Sequence, residues 1–356
     1  MRKSIPAHWV VRVFVLRGYA QARKIVRPSR SVYNPSPVSN PSFAALFPGQ
    51  GSQKSGMGKA VYDFSQAART VFADVRDATA VDVADLCFNT DEDTLRQTQN
   101  AQLALYTVGV ATFLALVTSM SEPKYASTMA GHSVGEYAAL ACAGVLSIPD
   151  GATLVRRRGD LMARSGSLRP GSMAAVIGLD DSSIERICAE CSGEGNCVVL
   201  ANYNSPGQAV ISGDVAAVAT ASEKLMEAGA KRVMQLNVSG AFHSPLMQEA
   251  QSAMAIALQK TEFRTGQNHP QLICNVTAAP VLSNSEWPSL LEAQLGSPVR
   301  WTQSMQAIRQ LGITHFLEFG TGEVLCGLLK RIDAEAVGIP VNSPEGIEVA
   351  KEIIGA

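Results

Sequence analysis

Hydrophobic residues along this chain fall into short runs and longer periodic stretches that alternate with each other. The run 43–47 is wholly apolar, which predicts a buried strand. Helical spacing follows at about 59–76 and again at about 99–118, where apolar residues surround the helix and predict burial on all sides. A second short run at 125–130 leads into a helix-forming stretch. This alternation predicts an α/β domain built on a parallel sheet.

Residues 170–239 carry a different pattern, in which four strand-like runs accompany two helical ones. The predicted order is strand 172–179, helix 182–189, strands 198–202 and 208–212, helix 215–228 and strand 231–238. The order βαββαβ defines a ferredoxin-like unit. We therefore expect a small domain at 170–239, inserted in the larger α/β domain.

The remaining elements return the chain to the larger domain. They are predicted as helix 246–259, strand 272–276, helix 302–311, strand 313–319 and helix 323–331. The large domain then comprises 43–169 and 240–345, and 346–356 is left as a C-terminal tail. A length of 356 residues is enough for a large core and two unequal domains.

The N-terminal residues differ from the rest of the chain in charge. Residues 1–40 hold eight basic residues and no acid, whereas the remainder has 22 basic against 31 acidic residues, a net charge of −9. The acid-free, Arg-rich segment 1–34 is typical of a transit peptide, and 35–42 has the composition of a linker. We expect import into the mitochondrial matrix. Plastid import and a basic nucleic-acid-binding arm are the alternatives.

Composition excludes several other classes of protein. The apolar content of 46% and charged content of 17% are typical of a folded domain. The chain has no run of about 18 uncharged apolar residues, so we expect no membrane span. We also expect no nucleic-acid partner. Seven scattered cysteines favour thiols in a reducing compartment over a disulfide framework. Cys188, Cys191 and Cys197 lie close together in sequence, but no fourth ligand is near and we expect no metal.

The strongest chemical motif is a Gly-x-Ser-x-Gly sequence centred on Ser133, between the predicted strand 125–130 and a helix. A strand, a sharp turn and a helix would hold the serine hydroxyl exposed at the helix N-terminus. The helix start offers N–H groups, with that of Val134 nearest, to an oxyanion forming on an attacked carbonyl. The motif alone is only moderately specific, so other residues have to support a catalytic role.

The loop 48–53 follows the first predicted strand and has glycines on both sides of Gln50. Its backbone N–H groups can point at a ligand, but the loop lacks the Gly-Lys-Ser/Thr ending of a nucleotide-phosphate loop. An ordinary strand-exit turn explains the same spacing.

Arg158 lies in a helix that Ser147 is predicted to cap. At 100° per residue it falls in the middle of an apolar stripe that includes Leu154 and Met162. An anion has to meet it there, because a lone buried guanidinium is costly. Two partners remain open: a buried Asp or Glu, or the carboxylate of a substrate bound in bidentate fashion.

A serine nucleophile needs a base, and His243 is the best placed of the histidines. It lies in a loop where the chain leaves the small domain. The others are less suited: His8 is in the leader, His269 is in a turn, His315 is inside a predicted strand, and His132 adjoins the serine with its ring diverging.

Seven sequence motifs occur in a fixed order between residues 43 and 345. They are Phe47-Pro48-Gly49-Gln50-Gly51-Ser52-Gln53, Gly131-His132-Ser133-Val134-Gly135-Glu136, Arg158-Gly159, Asn204-Ser205-Pro206-Gly207-Gln208, Phe242-His243-Ser244, Gln294-Leu295 with Pro298-Val299-Arg300-Trp301, and Glu318-Phe319-Gly320. Together they resemble the malonyl-CoA:acyl-carrier-protein transacylase family. A series of this length is far more specific than the serine motif alone.

The resemblance implies a hydrolase-like α/β large domain with an inserted ferredoxin-like domain, and it implies catalytic roles. Ser133 would be the nucleophile and His243 its base. The backbone carbonyl of Gln294, and no carboxylate, would orient the imidazole. The N–H groups of Gln50 and Val134 would form the oxyanion hole.

The resemblance also implies the substrates, malonyl-CoA and an acyl carrier protein, with no cofactor. Arg158 would clamp the malonyl carboxylate, and His132, Asn204 and Met162 would line the pocket. Relatives carry either Ser or Phe before the catalytic histidine, so Phe242 leaves substrate breadth undecided. A serine thioesterase or hydrolase, a polyketide-pathway acyltransferase and a non-catalytic carrier-protein-binding module are the alternatives.

Overall fold

The structure is a computed structural model that describes residues 42–238, 240–264 and 270–355. Outside these ranges lie the predicted leader at 1–34, which includes His8, and almost all of the linker predicted at 35–42. His269 lies outside them as well. The described chain contains a large α/β part and a small α+β part, as predicted.

The large domain surrounds a five-stranded parallel sheet in the order β7-β2-β1-β8-β9. Its strands are β1 (Phe43–Phe47), β2 (Thr128–Gly131), β7 (Gln271–Leu272), β8 (His315–Phe319) and β9 (Val337–Val341). Phe47 of β1 pairs with Gly131 of β2. This register brings the loops after both strands to the same edge of the sheet, where ligands bind in open α/β folds.

Helices cover both faces of this sheet. Before the small domain they are α1 (Lys59–Phe64), α2 (Gln66–Thr79), α3 (Val83–Phe88), α4 (Glu92–Arg96), α5 (Thr98–Ser119), α6 (Gly135–Cys142) and α7 (Ile148–Leu168). After it they are α10 (Gln248–Gln259), α11 (Trp287–Gln294), α12 (Trp301–Gln310), α13 (Val324–Ile332) and α14 (Pro344–Ile354), with 3₁₀ turns at Pro245–Met247 and Asn284–Glu286.

The small domain has the predicted βαββαβ order. It consists of β3 (Gly171–Ile177), α8 (Asp181–Glu190), β4 (Val198–Ser205), β5 (Gln208–Asp214), α9 (Val215–Glu227) and β6 (Arg232–Gln235). The strands form an antiparallel sheet in the order β4-β5-β3-β6. Side chains such as Val176, Ile184, Ile211 and Leu225 form its own apolar core. The ferredoxin-like prediction is therefore confirmed.

Helix α5 crosses the core of the large domain, and nearly all of its side chains are buried, as its all-round apolar pattern predicts. Among the described residues it alone has the length and composition of a membrane-crossing helix, with a mean hydropathy of 1.7. Yet 94% of its most apolar window is buried inside the protein. Packing against neighbouring elements accounts for this composition.

Three predicted elements differ from the structure. The single helix predicted at 59–76 is two helices, because Ser65 adopts an extended backbone and caps α2 by accepting a hydrogen bond from the Ala68 N–H. The strand predicted at 272–276 ends at Leu272, where the chain enters a turn with Ala278 in the left-handed region. The predicted tail 346–356 is wrong, since α14 begins at Pro344 and buries Ile347 and Ile354.

Candidate active site

Ser133 lies in a sharp turn between β2 and α6, with its backbone in the left-handed region at φ 53°. A β-carbon at Gly131 would lie 1.9 Å from the carbonyl carbon of Gly135, and one at Gly135 would lie 2.1 Å from the Phe47 carbonyl oxygen. Both positions therefore require glycine. The turn is the strained elbow that the motif predicts.

Asn275 holds this elbow from the opposite side. Its Oδ1 accepts a hydrogen bond from the Ser133 N–H at 2.7 Å, and its Nδ2 donates to the Gly131 carbonyl at 2.7 Å. The side chain is buried. These two bonds offset the cost of the left-handed serine, and sequence reasoning did not identify Asn275 as a site residue.

His243 lies against the serine hydroxyl in the site. Its Nε2 is 2.8 Å from the Ser133 Oγ, and its Nδ1 is 2.8 Å from the Gln294 carbonyl and 3.2 Å from the Ser297 carbonyl. Carbonyl oxygens only accept, so Nδ1 carries the proton and Nε2 is left to accept from the hydroxyl. Burial, followed by the positive charge of Arg158, lowers the pKa of His243 to about 3. The imidazole is therefore neutral at physiological pH, as a base requires.

Arg158 is fully buried and points at the same hydroxyl. Its Nη2 donates to the Ser133 Oγ at 3.0 Å and to the Gln294 Oε1 at 2.8 Å, and its Nη1 donates to the Gln102 Oε1 at 2.6 Å. None of the ion pairs found among the described residues includes Arg158, and its Nε has no hydrogen-bond partner. The buried Asp or Glu considered from the sequence is not in contact with it.

The electrostatic surroundings of Arg158 fit this unusual position. Burial lowers the pKa of the guanidinium, and the neighbouring Tyr137 and Glu136 oppose that shift. The guanidinium carbon lies 5.7 Å from the centre of the Tyr137 ring, a cation–π distance. Neutral acceptors and an aromatic face thus support the cation without neutralising it.

Glu136 forms the outer part of this network. Its carboxylate accepts hydrogen bonds from the Asn275 N–H at 2.8 Å and from the Gln294 Nε2. Burial raises the pKa of Glu136 to about 7, while these two hydrogen bonds and the charge of Arg158 act in the opposite direction. Glu136 belongs to one of the seven sequence motifs, but no role was predicted for it.

The loop after β1 lies beside the elbow. A β-carbon at Gly49 would come within 2.6 Å of the His132 carbonyl oxygen, so only glycine allows this close approach. The approach brings Gln50 to the sheet edge that carries Val134 at the start of α6. Their predicted role as the oxyanion hole is compatible with this placement and stays a prediction.

His132 turns away from Ser133, as expected, and reaches the small domain. Its Nε2 lies 2.9 Å from the Oδ1 of Asn204, at the end of β4, and its ring packs on Trp301 at 5.4 Å between centroids. Burial lowers the pKa of His132. The pair therefore links the two domains next to the nucleophile, where a pocket-lining role is predicted.

The remaining residues that the sequence singles out are Met162 and the cysteines, whereas the hydrogen bonds of the Ser133 hydroxyl go to His243 and Arg158. Met162 is buried, and its sulfur accepts a hydrogen bond from the Gln102 Nε2 at 3.3 Å, so it supports the residue that binds Arg158. Its predicted contact with substrate stays a prediction. Within the described ranges no cluster of cysteine, histidine and acidic side chains could hold a metal, and the seven cysteines form no disulfide bond.

The arrangement has a definite chemical capacity. A hydroxyl activated by a neutral imidazole can attack a carbonyl and form an acyl-serine. The cation beside that hydroxyl can bind an anionic group carried close to the carbonyl. The site can therefore form an ester on Ser133 with an acyl group that has a carboxylate of its own.

Comparison with known proteins agrees with this chemistry. Residues 45–330 match the family model described as an acyl transferase domain. The chain is 39% identical over 308 residues to the malonyl CoA-acyl carrier protein transacylase of Bacillus subtilis, covering 86% of this chain and 96% of the relative.

Solved structures give the same picture. The crystal structure of the acyl-carrier-protein-S-malonyltransferase from Bartonella henselae is 40% identical with a TM-score of 0.83, covering 88% of this chain and 100% of that one. A malonyl-transacylase solved in complex with a type II PKS acyl-carrier protein is 37% identical with a TM-score of 0.82, covering 87% and 99% of the two chains.

Proposed function

The chain belongs to the acyl transferase domain family, and we propose that it transfers a malonyl group from malonyl-CoA to the phosphopantetheine thiol of an acyl carrier protein. The reaction proceeds through a malonyl ester of Ser133. The relatives described above carry this activity in their names. Both acyl carriers are substrates, so we expect no cofactor.

The observation that carries this proposal is the contact between Arg158 and the nucleophile. The carboxylate carbon of a malonyl group lies only about 2.5 Å from its thioester carbonyl carbon, two bonds away. A cation that recognises the carboxylate has to lie beside the attacking oxygen, and the Nη2 of Arg158 is 3.0 Å from the Ser133 Oγ. An acetyl group would leave this buried cation without an anion, which disfavours it.

The proposed reaction has two symmetrical halves. His243 takes the hydroxyl proton through Nε2 as the Ser133 Oγ attacks the thioester carbonyl, and the Gln50 and Val134 N–H groups bind the oxyanion. The C–S bond breaks, and His243 returns the proton to the CoA thiolate. In the second half, the carrier thiol gives its proton to His243 and attacks the ester. The serine oxygen then leaves and recovers that proton.

A thioesterase would use the same serine and histidine but would deliver the acyl group to water. We expect labelled malonyl-CoA and holo carrier protein to yield malonyl-carrier protein in excess of free malonate. The measurement is the ratio of the two products over time, with apo carrier protein as the control that lacks the accepting thiol. Release of malonate at a rate equal to or above transfer would instead make the protein a hydrolase.

We further propose that the product supplies fatty acid synthesis in the mitochondrial matrix. Support for the location comes from the charge of residues 1–40, with eight basic residues and no acid, attached to an acidic body. A polyketide pathway would use the same chemistry with another carrier protein.

Residues 1–42 fused to a fluorescent protein should be imported by isolated mitochondria in a manner that depends on membrane potential. A matched fusion with Arg12→Glu and Arg17→Glu should lose import, because basic charge drives uptake of such segments. Uptake by plastids alone, or no uptake by either organelle, would contradict the proposed location.

A further inference from the structure

The carboxylate of Glu136 is buried beside the site, yet its hydrogen bonds go to the supporting residues and not to the reacting atoms. One oxygen accepts from the Asn275 N–H and the other from the Gln294 Nε2. Only 1% of the residue is exposed. A buried carboxylate without a directly contacting cation is costly. We therefore expect Glu136 to have a role that offsets this cost.

The bond to Gln294 decides which way that amide faces. With Nε2 directed at Glu136 and at the Ser133 carbonyl, at 3.0 Å, the Oε1 is directed at the Arg158 Nη2. The reversed amide would place its oxygen against two acceptors and its NH₂ against the guanidinium, which only donates. The ionised carboxylate and the Ser133 carbonyl thus together favour the orientation in which Gln294 accepts from Arg158.

The bond to Asn275 connects the same carboxylate to the nucleophile. The side chain of Asn275 makes both hydrogen bonds that hold the elbow at Ser133. Glu136 itself lies in the first turn of α6, three residues after the serine. One carboxylate is therefore bonded to the support of the nucleophile and to the support of the cation.

We propose that Glu136 is a positioning residue that acts through Gln294 to aim the Arg158 guanidinium, and that it thereby sets the preference for acyl groups carrying a carboxylate. This inference rests on the proposed malonyl transfer. It adds to that proposal a determinant of specificity that does not touch the substrate.

Glu136→Gln tests the inference with almost no change of shape. The new amide has one acceptor and one donor end, whereas Asn275 and Gln294 both present donors. Either Gln294 reverses and turns its NH₂ towards Arg158, or the new NH₂ group at position 136 faces a donor of Gln294 or Asn275. Where the mismatch falls at Gln294, the Arg158 orientation is disturbed, while the Gln294 carbonyl that holds His243 is a backbone group and stays.

We expect Glu136→Gln to lower kcat/KM for malonyl-CoA by about 10- to 100-fold relative to acetyl-CoA, mostly through KM for malonyl-CoA. Acetyl transfer should change by less than about threefold. Glu318→Gln is the matched control, because Glu318 is another buried glutamate that accepts two backbone N–H bonds, from Leu325 and Cys326. That variant should lose thermal stability and keep the malonyl-to-acetyl ratio.

A double-mutant cycle tests the route through Gln294. Gln294→Leu removes the amide but keeps the backbone carbonyl, so it should reproduce the malonyl-specific loss, and the double variant should be no worse than the poorer single variant. Additive losses, or an unchanged malonyl-to-acetyl ratio in folded Glu136→Gln, would overturn the inference. Should Glu136→Gln fail to fold, Glu136→Asp, too short to reach both donors, replaces it in the same cycle and is judged by the same ratio.

The outcomes also separate this inference from the function on which it rests. If wild-type protein transfers no malonyl group, the proposed function fails. If wild-type protein prefers malonyl-CoA and Glu136→Gln keeps that preference, the function stands and the role of Glu136 is wrong.

Discussion

Ser133→Ala is expected to lower malonyl transfer by at least about 10⁴-fold, because no other group can then form the acyl-enzyme. The hydroxyl lies 2.8 Å from the His243 Nε2 and 3.0 Å from the Arg158 Nη2, so a substituted methyl group leaves both without their shared partner. Malonyl-CoA binding should persist, since the cation remains. The measurements are the rate of carrier-protein malonylation and the mass of the protein after brief exposure to malonyl-CoA.

Wild-type protein should gain the mass of one malonyl group, and Ser133→Ala should gain none. Ser212→Ala is the control, since Ser212 is also a buried serine but lies in the small domain with a hydroxyl that makes no hydrogen bond. Its activity should match wild type within about twofold. Substantial transfer by Ser133→Ala would show that another residue is the nucleophile and would contradict the proposed two-step transfer through a malonyl ester of Ser133.

The parts of this site that the sequence predicts are those written in local patterns. Glycines two residues on either side of Ser133 predict the elbow, and the position of Arg158 on an apolar stripe predicts that it faces inward. Both signals span a few residues and depend on backbone geometry or helical periodicity. Alternation of strand-like and helix-like runs likewise predicts the two domains.

The supporting residues of the site carry no such signal. Asn275 lies 142 residues from Ser133 in sequence, and Gln102 lies 56 residues from Arg158. Glutamine and asparagine are ordinary surface residues by composition, and only the folded chain shows that these are buried and bonded to charged or strained groups. These residues support the site through tertiary contacts, which a periodic pattern in the sequence does not show.

Two of the errors in the fold have local causes instead. Ser65 divides a helical pattern by offering its hydroxyl to the next helix, a local alternative that periodicity alone does not detect. Helix α14 has a capping Ser343, a first-turn Pro344 and a C-terminal Gly355, which are recognisable signals that the prediction of a tail overlooked.

Arg158→Ala is expected to lower kcat/KM for malonyl-CoA by about 10²- to 10³-fold, which corresponds to about 3–4 kcal/mol of lost transition-state stabilisation. The malonyl carboxylate would then enter a buried site with no cation. Acetyl transfer should be kept or should rise, for two reasons. The acetyl group no longer leaves a buried charge unpaired, and removal of the positive charge removes one cause of the lowered pKa of His243, which makes it a stronger base.

The measurement is kcat/KM for malonyl-CoA and acetyl-CoA with the same carrier protein. Arg157→Ala is the matched control, because Arg157 is the exposed neighbour on the same helix and should leave both values unchanged. The two hypotheses for Arg158 give opposite results. A residue that recognises substrate separates the two acyl groups, whereas a purely structural residue lowers both rates together. Equal losses in kcat/KM for the two acyl groups would therefore show that Arg158 has a structural role. The malonyl preference would then have to be explained by the shape of the pocket.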